Sequence, residues 1–212
     1  MTGPGRWVSV TPERLDGWLR GFAGRHGEPV VEVAGDAVSL VAPDGCRARC
    51  EVPFPPLPAG ATGVDDLIGH ALADRTVGAV LVRLGGFAVG ILAGRRLTAS
   101  VVGSRPVHGR SAAGGWSQKR FARRREMQAA HALEAAVAAA VRVLVPALPS
   151  LDAVVLGGDR RAADTVAADH RLAGLRRLTI VRFLDVPDPR RRVLEASADM
   201  VRSVRINVVD PP

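Results

Sequence analysis

Three β-rich runs, at residues 77–84, 87–92 and 97–102, lie almost end to end in this chain. Gly85-Gly86 and Gly94-Arg95 separate them. Apolar runs this close together pair with their neighbours, and glycine at each reversal accepts the backbone of a tight turn. The segment therefore predicts a three-stranded antiparallel meander. A sheet of this kind must bury one face against other elements. The chain supplies them in order: a long helix at about 118–144, a strand at 153–156 and a helix at 161–168. A strand at 178–184, a helix at 189–201 and a last strand near 204–209 follow. The order βββ-α-β-α-β-α-β predicts an α/β domain with a mixed sheet. An RNase H-like layout is one fold that begins with such a meander. No internal repeat is visible.

Within the long helix, Leu133, Val137, Ala140, Val141 and Leu144 recur at helical spacing and form one apolar stripe. Ser117 stands where an N-cap belongs, and Pro146 and Pro149 end the run. Residues 1–60 read as a separate, smaller α+β unit. Thr11-Pro12-Glu13 signals a helix start, with Leu15, Trp18, Leu19 and Phe22 on its apolar face. Residues 30–33 and 37–41 read as a hairpin across Gly35-Asp36. Pro53, Pro55, Pro56 and Pro58 then break the chain, and 65–73 reads as one more short helix. The expected division is 1–60 and 61–212.

Charge narrows the function classes. The chain carries 29 Lys and Arg against 21 Asp and Glu, a net +8. Only Lys119 is a lysine, so part of the arginine excess reflects codon usage in a GC-rich genome. The distribution is more telling than the total. No acid occurs between Asp74 and Glu126, a stretch that holds eleven basic residues. So long an imbalance points to a phosphate-binding surface, whose affinity falls steeply with salt. No apolar run reaches the length of a membrane span, and residues 1–20 lack the plan of a signal peptide, so a cytoplasmic protein with no membrane partner is expected. Nothing suggests an obligate oligomer, and a monomer is expected.

Residues 103–117 are polar, Gly-rich, basic and without periodicity, which predicts a long exposed loop. It ends in Gly114-Gly115-Trp116-Ser117-Gln118-Lys119-Arg120 and continues Phe121-Ala122-Arg123-Arg124-Arg125. Adjacent glycines let a backbone enter a confined space. A glutamine offers a carbonyl acceptor and an amide donor on one neutral side chain, a means to orient water without being a strong base. Backbone N–H groups at the turn into a helix can stabilise an oxyanion. Arg105, Arg110, Lys119, Arg120, Arg123, Arg124 and Arg125 would hold phosphates. Trp116 and Phe121 lie among these cations, and Phe121 could stack on a base.

The run from Gly109 to Arg125 resembles the actinobacterial VLRF-type peptidyl-tRNA hydrolases. These are similar to the Vms-type release factors and are related to the middle domain of the eukaryotic class I release factor. The resemblance is specific over about 103–128, and consistent in element order over 77–209. It implies an RNase H-like release-factor domain. Its loop would enter the peptidyl-transferase centre of a large ribosomal subunit that carries a stalled chain as peptidyl-tRNA. Gln118 would promote hydrolysis of the ester between peptide and tRNA, with Gly114, Gly115 and Ser117 shaping the turn and no metal or cofactor required. Trp116 and Ser117 intervene here where release factors have a continuous Gly-Gly-Gln.

Other features are assigned structural roles. Cys46 and Cys50 lie too far apart for a disulfide if the segment is extended. His70 stands alone, and His108 reads as a solvated loop residue. Asp152, Asp159, Asp164 and Asp169 invite comparison with a metal nuclease, but their spacing suits helix caps and exposed faces. Gly157-Gly158-Asp159 lacks the rest of any nucleotide-binding fingerprint. Trp7 and Trp18 read as core or interface residues. Two rivals to the hydrolase remain: a non-catalytic ribosome- or RNA-binding module, and a nuclease.

Overall fold

A computed structural model describes residues 5–83, 85–104 and 117–211. The chain forms two compact units, each built on a five-stranded sheet. One comprises residues 1–74 with 199–212, and the other residues 75–198.

The first unit holds β1 (Arg6–Val10), α1 (Pro12–His26), β2 (Val30–Val33), β3 (Ala37–Val41), β4 (Arg47–Glu51) and α2 (Val64–Leu72). Its sheet, ordered β1-β10-β4-β3-β2 with β10 spanning Val204–Val209, is antiparallel throughout. Strand alternation sends Val10, Val38, Leu40, Ala48, Cys50, Ile206 and Val208 to one face, where they bury against Leu15, Leu19 and Phe22 of α1 and Leu67 and Ala71 of α2. Thr11 occupies the N-cap of α1 and Pro12 its first turn, as the sequence signals. The Asp66 carboxylate accepts from the Thr62 and Gly63 N–H groups at 2.7 and 3.1 Å, which closes the start of α2 and lowers its pKa.

The second unit begins with the meander: β5 (Thr76–Arg83), β6 (Gly86–Ala93) and β7 (Arg96–Ser104). Gly85 and Gly94 have φ of 97° and 55° at its two turns, a region that favours glycine. The helix α3 (Ser117–Leu144) follows, then β8 (Ala153–Gly158), α4 (Arg160–Ala167), a 3-10 turn (His170–Arg177), β9 (Thr179–Ile180) and α5 (Arg191–Arg202). The sheet order is β7-β6-β5-β8-β9. The meander is antiparallel, whereas β5, β8 and β9 run parallel, so the sheet is mixed. Ala136, Val137, Ala140 and Leu144 of α3 bury with Val80, Val82, Val89 and Val154 of the sheet.

The structure corrects the sequence reading in several places. The last strand, β10 (Val204–Val209), joins the first sheet between β1 and β4 rather than the second. The division at residue 60 is therefore displaced: the first unit runs to Asp74 and reclaims the chain from Asp199 onward. β1 pairs with β10 about two hundred residues away, a partner that no local pattern reveals. The strand expected at 178–184 keeps two ladder residues. Val181 donates to Val154 and Leu184 to Leu156, so three steps on one strand face two on the other, and the extra residue breaks the ladder. The stretch Met127–Leu144 of α3 does meet the length and hydropathy of a membrane span, at a mean hydropathy of 1.2. Its last turns are instead part of the core just described.

Candidate functional site

The site expected around Gln118 grows from one end of the second sheet. β5, β7, β8 and β9 all point their carboxyl ends there. Ser104, the last residue of β7, lies opposite Gly86, the first of β6. A Cβ on Gly103 would fall 2.4 Å from the Phe87 ring, so a larger residue here would displace that ring. β7 ends at Ser104 and α3 begins at Ser117.

Ser117 is the first residue of α3 rather than its N-cap, and Gln118 follows in the first turn. Lys119, Arg120, Phe121, Arg123, Arg124 and Arg125 occupy the next turns of the same continuous helix. A helix of 28 residues is about 42 Å long. Its far end is fixed: a Cβ on Gly78 of β5 would meet Leu144 at 3.2 Å. Its middle is held by ions. The Arg171 guanidinium donates two hydrogen bonds to the Glu134 carboxylate, at 2.7 and 2.9 Å, and two to Asp169, at 2.9 and 3.0 Å. These bonds hold the Glu134 and Asp169 carboxyls below their ordinary pKa values and raise that of Arg171. The expected residues Gly114, Gly115, Trp116, Arg105 and Arg110, and His108, lie outside the described residues, as do the side chains of residues 117–126.

The two units carry opposite charge. Residues 1–74 with 199–212 hold eight arginines against twelve acids, a net −4. Residues 75–198 hold 21 basic residues against nine acids, a net +12. The chain's net positive charge therefore resides in the unit that contains Gln118.

The residues set aside have structural partners. The Asp159 carboxylate accepts from the Ala162 N–H at 2.8 Å and caps α4; Asp169 caps the 3-10 turn through the Arg171 N–H at 2.9 Å. Asp152 accepts from the Thr76 N–H at 2.7 Å. No group of potential metal ligands occurs among the described residues. His70 Nε2 lies 2.9 Å from the Pro53 carbonyl oxygen. Cys46 and Cys50 are free and buried, and burial pushes the Cys50 thiol up to about 12. Trp18 packs against Phe22, whereas Trp7 is 48% exposed beneath the Arg205 guanidinium and is not a core residue.

Release factors are the class that comparison with known proteins indicates. Residues 75–207, more than half of the chain, match the family described as Actinobacteria/chloroflexi VLRF1 release factor, and the chain belongs to that family. The matched segment runs from the start of β5 almost to the end of β10, and so extends past the second unit into the strand that lies between β1 and β4 in the first. Among solved structures, an archaeal protein is similar at 16% identity and a TM-score of 0.40, over 74% of this chain and 48% of its own. The archaeal translation termination factor aRF1 is similar at 15% identity and a TM-score of 0.34, over 76% of this chain and 51% of its own. The chain thus spans about half the length of these structures. No curated protein matches it.

Proposed function

We propose that this protein is a peptidyl-tRNA hydrolase that releases nascent chains from large ribosomal subunits. The observation that carries the reading is the membership of residues 75–207 in a release-factor family, with Gln118 in the first turn of the helix that follows the Gly-Gly loop. The strand order β7-β6-β5-β8-β9, with a meander leading into parallel crossovers, supports an RNase H-like layout for this domain.

An aminoacyl ester is already activated, so excluding bulk water and orienting one molecule supplies much of the acceleration. The Gln118 side chain orients that water. Gly114 and Gly115 let the backbone approach the ester, and N–H groups at the Ser117 turn stabilise the developing oxyanion, aided by the positive end of the α3 dipole. Arg105, Arg110, Lys119, Arg120, Arg123, Arg124 and Arg125 hold ribosomal RNA and tRNA phosphates, and Trp116 and Phe121 stack on bases. No cofactor takes part. The protein acts as a cytoplasmic monomer.

The test is a release assay on large subunits charged with peptidyl-tRNA. Wild type should cleave the ester and leave the tRNA intact. Gln118→Ala should slow cleavage by on the order of a hundredfold or more while co-sedimenting with subunits as before. An ester that survives wild-type protein bound to subunits would make this a binding module. Cut tRNA would make it a nuclease.

A further inference from the structure

Helices in this chain begin in two different styles. In the first unit, α1 and α2 carry acids in their first turns, Glu13 in one and Asp65 and Asp66 in the other, as the positive end of a helix dipole favours. In the second unit α4 and α5 differ in their first turns, although the Asp159 carboxylate caps α4. Neither has an acid in its first turn, and each starts on arginines: Arg160 and Arg161 in α4, Arg191 and Arg192 in α5, with Arg190 just before. Cations at that end of a helix oppose its dipole and one another. An arrangement unfavourable in the free protein becomes favourable when a polyanion is present.

The topology gathers these arginines. α4 follows the carboxyl end of β8, and Arg83 closes the adjacent β5. The segment after β9 stays beside β8 as far as Leu184, whose carbonyl accepts from the Gly158 N–H at 3.0 Å. It then reaches the β5–β6 turn, where a Cβ on Gly86 would lie 3.9 Å from the Pro189 carbonyl oxygen. Arg190 comes directly after. The six arginines therefore lie along the carboxyl edge of the sheet, the edge from which residues 105–116 depart. From β7 to β8 is three strand spacings, about 15 Å. Open α/β sheets bind their ligands outside the carboxyl ends of parallel strands.

Local contacts hold some of these groups in place and leave others open. The Arg160 guanidinium lies 3.8 Å over the Phe183 ring, Arg83 pairs with Asp185 at 3.3 Å, and Arg191 pairs with Glu195 at 2.9 Å. The exposed side chains of Arg161, Arg190 and Arg192 have no partner among the described residues. Three acids share the edge: Asp159, occupied as the α4 cap, Asp185 and Asp188. Arginines also surround the opposite end of the sheet, among them Arg96, Arg142 and Arg177, so net charge alone does not select one end. The helix starts and the continuity with the Gln118 segment do.

We infer that this arginine edge, residues 83, 160–161 and 190–192, is a second RNA-binding surface, which grips the phosphate backbone of ribosomal RNA beside the entry point of the loop. The inference rests on the ribosomal reading above.

The experiment compares two triple variants that remove equal charge: R161Q/R190Q/R192Q on this edge and R96Q/R142Q/R177Q at the opposite end. Both are measured by co-sedimentation with large subunits over a salt series, with ester cleavage followed in parallel at saturating protein. The edge variant should bind at least about tenfold more weakly and reduce the salt slope by roughly two. The opposite-end variant should bind nearly as wild type, and R161K/R190K/R192K should recover most of the lost affinity. Equal losses in the two triple variants, or none in either, overturn the inference, and so does a wild type that does not bind subunits. If binding ignores the edge while Gln118→Ala still abolishes cleavage, the edge surface is refuted and the hydrolase stands. If binding depends on the edge but wild type cleaves nothing, the hydrolase is refuted and the surface stands.

Discussion

Gly90 sits in the middle of β6, between Ala79 of β5 and Ser100 of β7, where α5 approaches the sheet. A Cβ there would lie 2.7 Å from the Ala99 carbonyl oxygen, and 2.8 Å from side-chain methyls of Leu97 and Leu194. The leucine methyls can move, but the carbonyl belongs to the neighbouring strand and cannot retreat without shifting β7. Overpacking of this kind costs about 1–3 kcal/mol. The loss of backbone freedom in the unfolded chain returns about 0.4–1 kcal/mol. Gly90→Ala should therefore destabilise the protein by about 1–2 kcal/mol. At this chain length that lowers Tm by roughly 2–8 °C. Gly24 provides the opposite case. It lies in α1, and a Cβ there would meet nothing within 4 Å. Helix propensity then acts unopposed, and Gly24→Ala should stabilise by about 0.5–1 kcal/mol. Thermal and urea melts followed by far-UV circular dichroism would measure both. A Gly90→Ala midpoint at or above wild type would refute the close approach of β6, β7 and α5.

The Arg171 network makes stability depend on acid. Glu134 and Asp169 have lowered pKa values in the folded state, so their contribution is complete above their ordinary values of 4.5 and 3.8 and disappears as pH falls through the lower, folded values. Urea midpoints from pH 6 to 2 should fall in that range, and Arg171→Met should flatten the fall. The raised thiol pKa values of Cys46 and Cys50 predict that neither reacts with a disulfide reagent at pH 8 until the protein unfolds, whereupon both do; fast labelling of native protein would contradict their burial. Arg202 is nearly buried, with the Glu13 carboxylate 3.0 Å away. Glu13→Gln should leave that charge uncompensated and destabilise by about 1–2 kcal/mol in urea melts, whereas Arg202→Met should cost less.

Much of the second unit was legible in local sequence. Gly85 and Gly94 marked both turns of the meander, and the stripe through Val137, Ala140 and Leu144 identified the buried face of α3. The hairpin on either side of Gly35-Asp36 has the bounds read from sequence. What sequence did not show was pairing at a distance. β10 has the same alternating pattern whichever sheet it joins, and nothing within it names β1 and β4 as partners. The arginine edge escaped for a related reason. Arg83, Arg160 and Arg190 are separated by tens of residues, and only strand order brings them to one edge. A local signal was nevertheless available: α4 and α5 begin on arginines with no acid in their first turns, in contrast to α1 and α2. For Gln118 the legible part was a residue type at the start of a helix, and the structure supplies that helix's anchorage through Glu134 and Leu144.

The position of β10 also sets an order of events during synthesis. A ribosome makes about 5–20 residues per second, and domains fold as their residues emerge. The elements of residues 75–198 are all made while the first sheet still has a gap between β1 and β4. That gap closes only when residues 204–209 arrive. Until then β1 has no neighbour in its sheet, and both β1 and β4 expose an unpaired edge. β10 thus completes a sheet whose other strands are made long before it, and synthesis halted before residue 204 would leave that sheet open between β1 and β4.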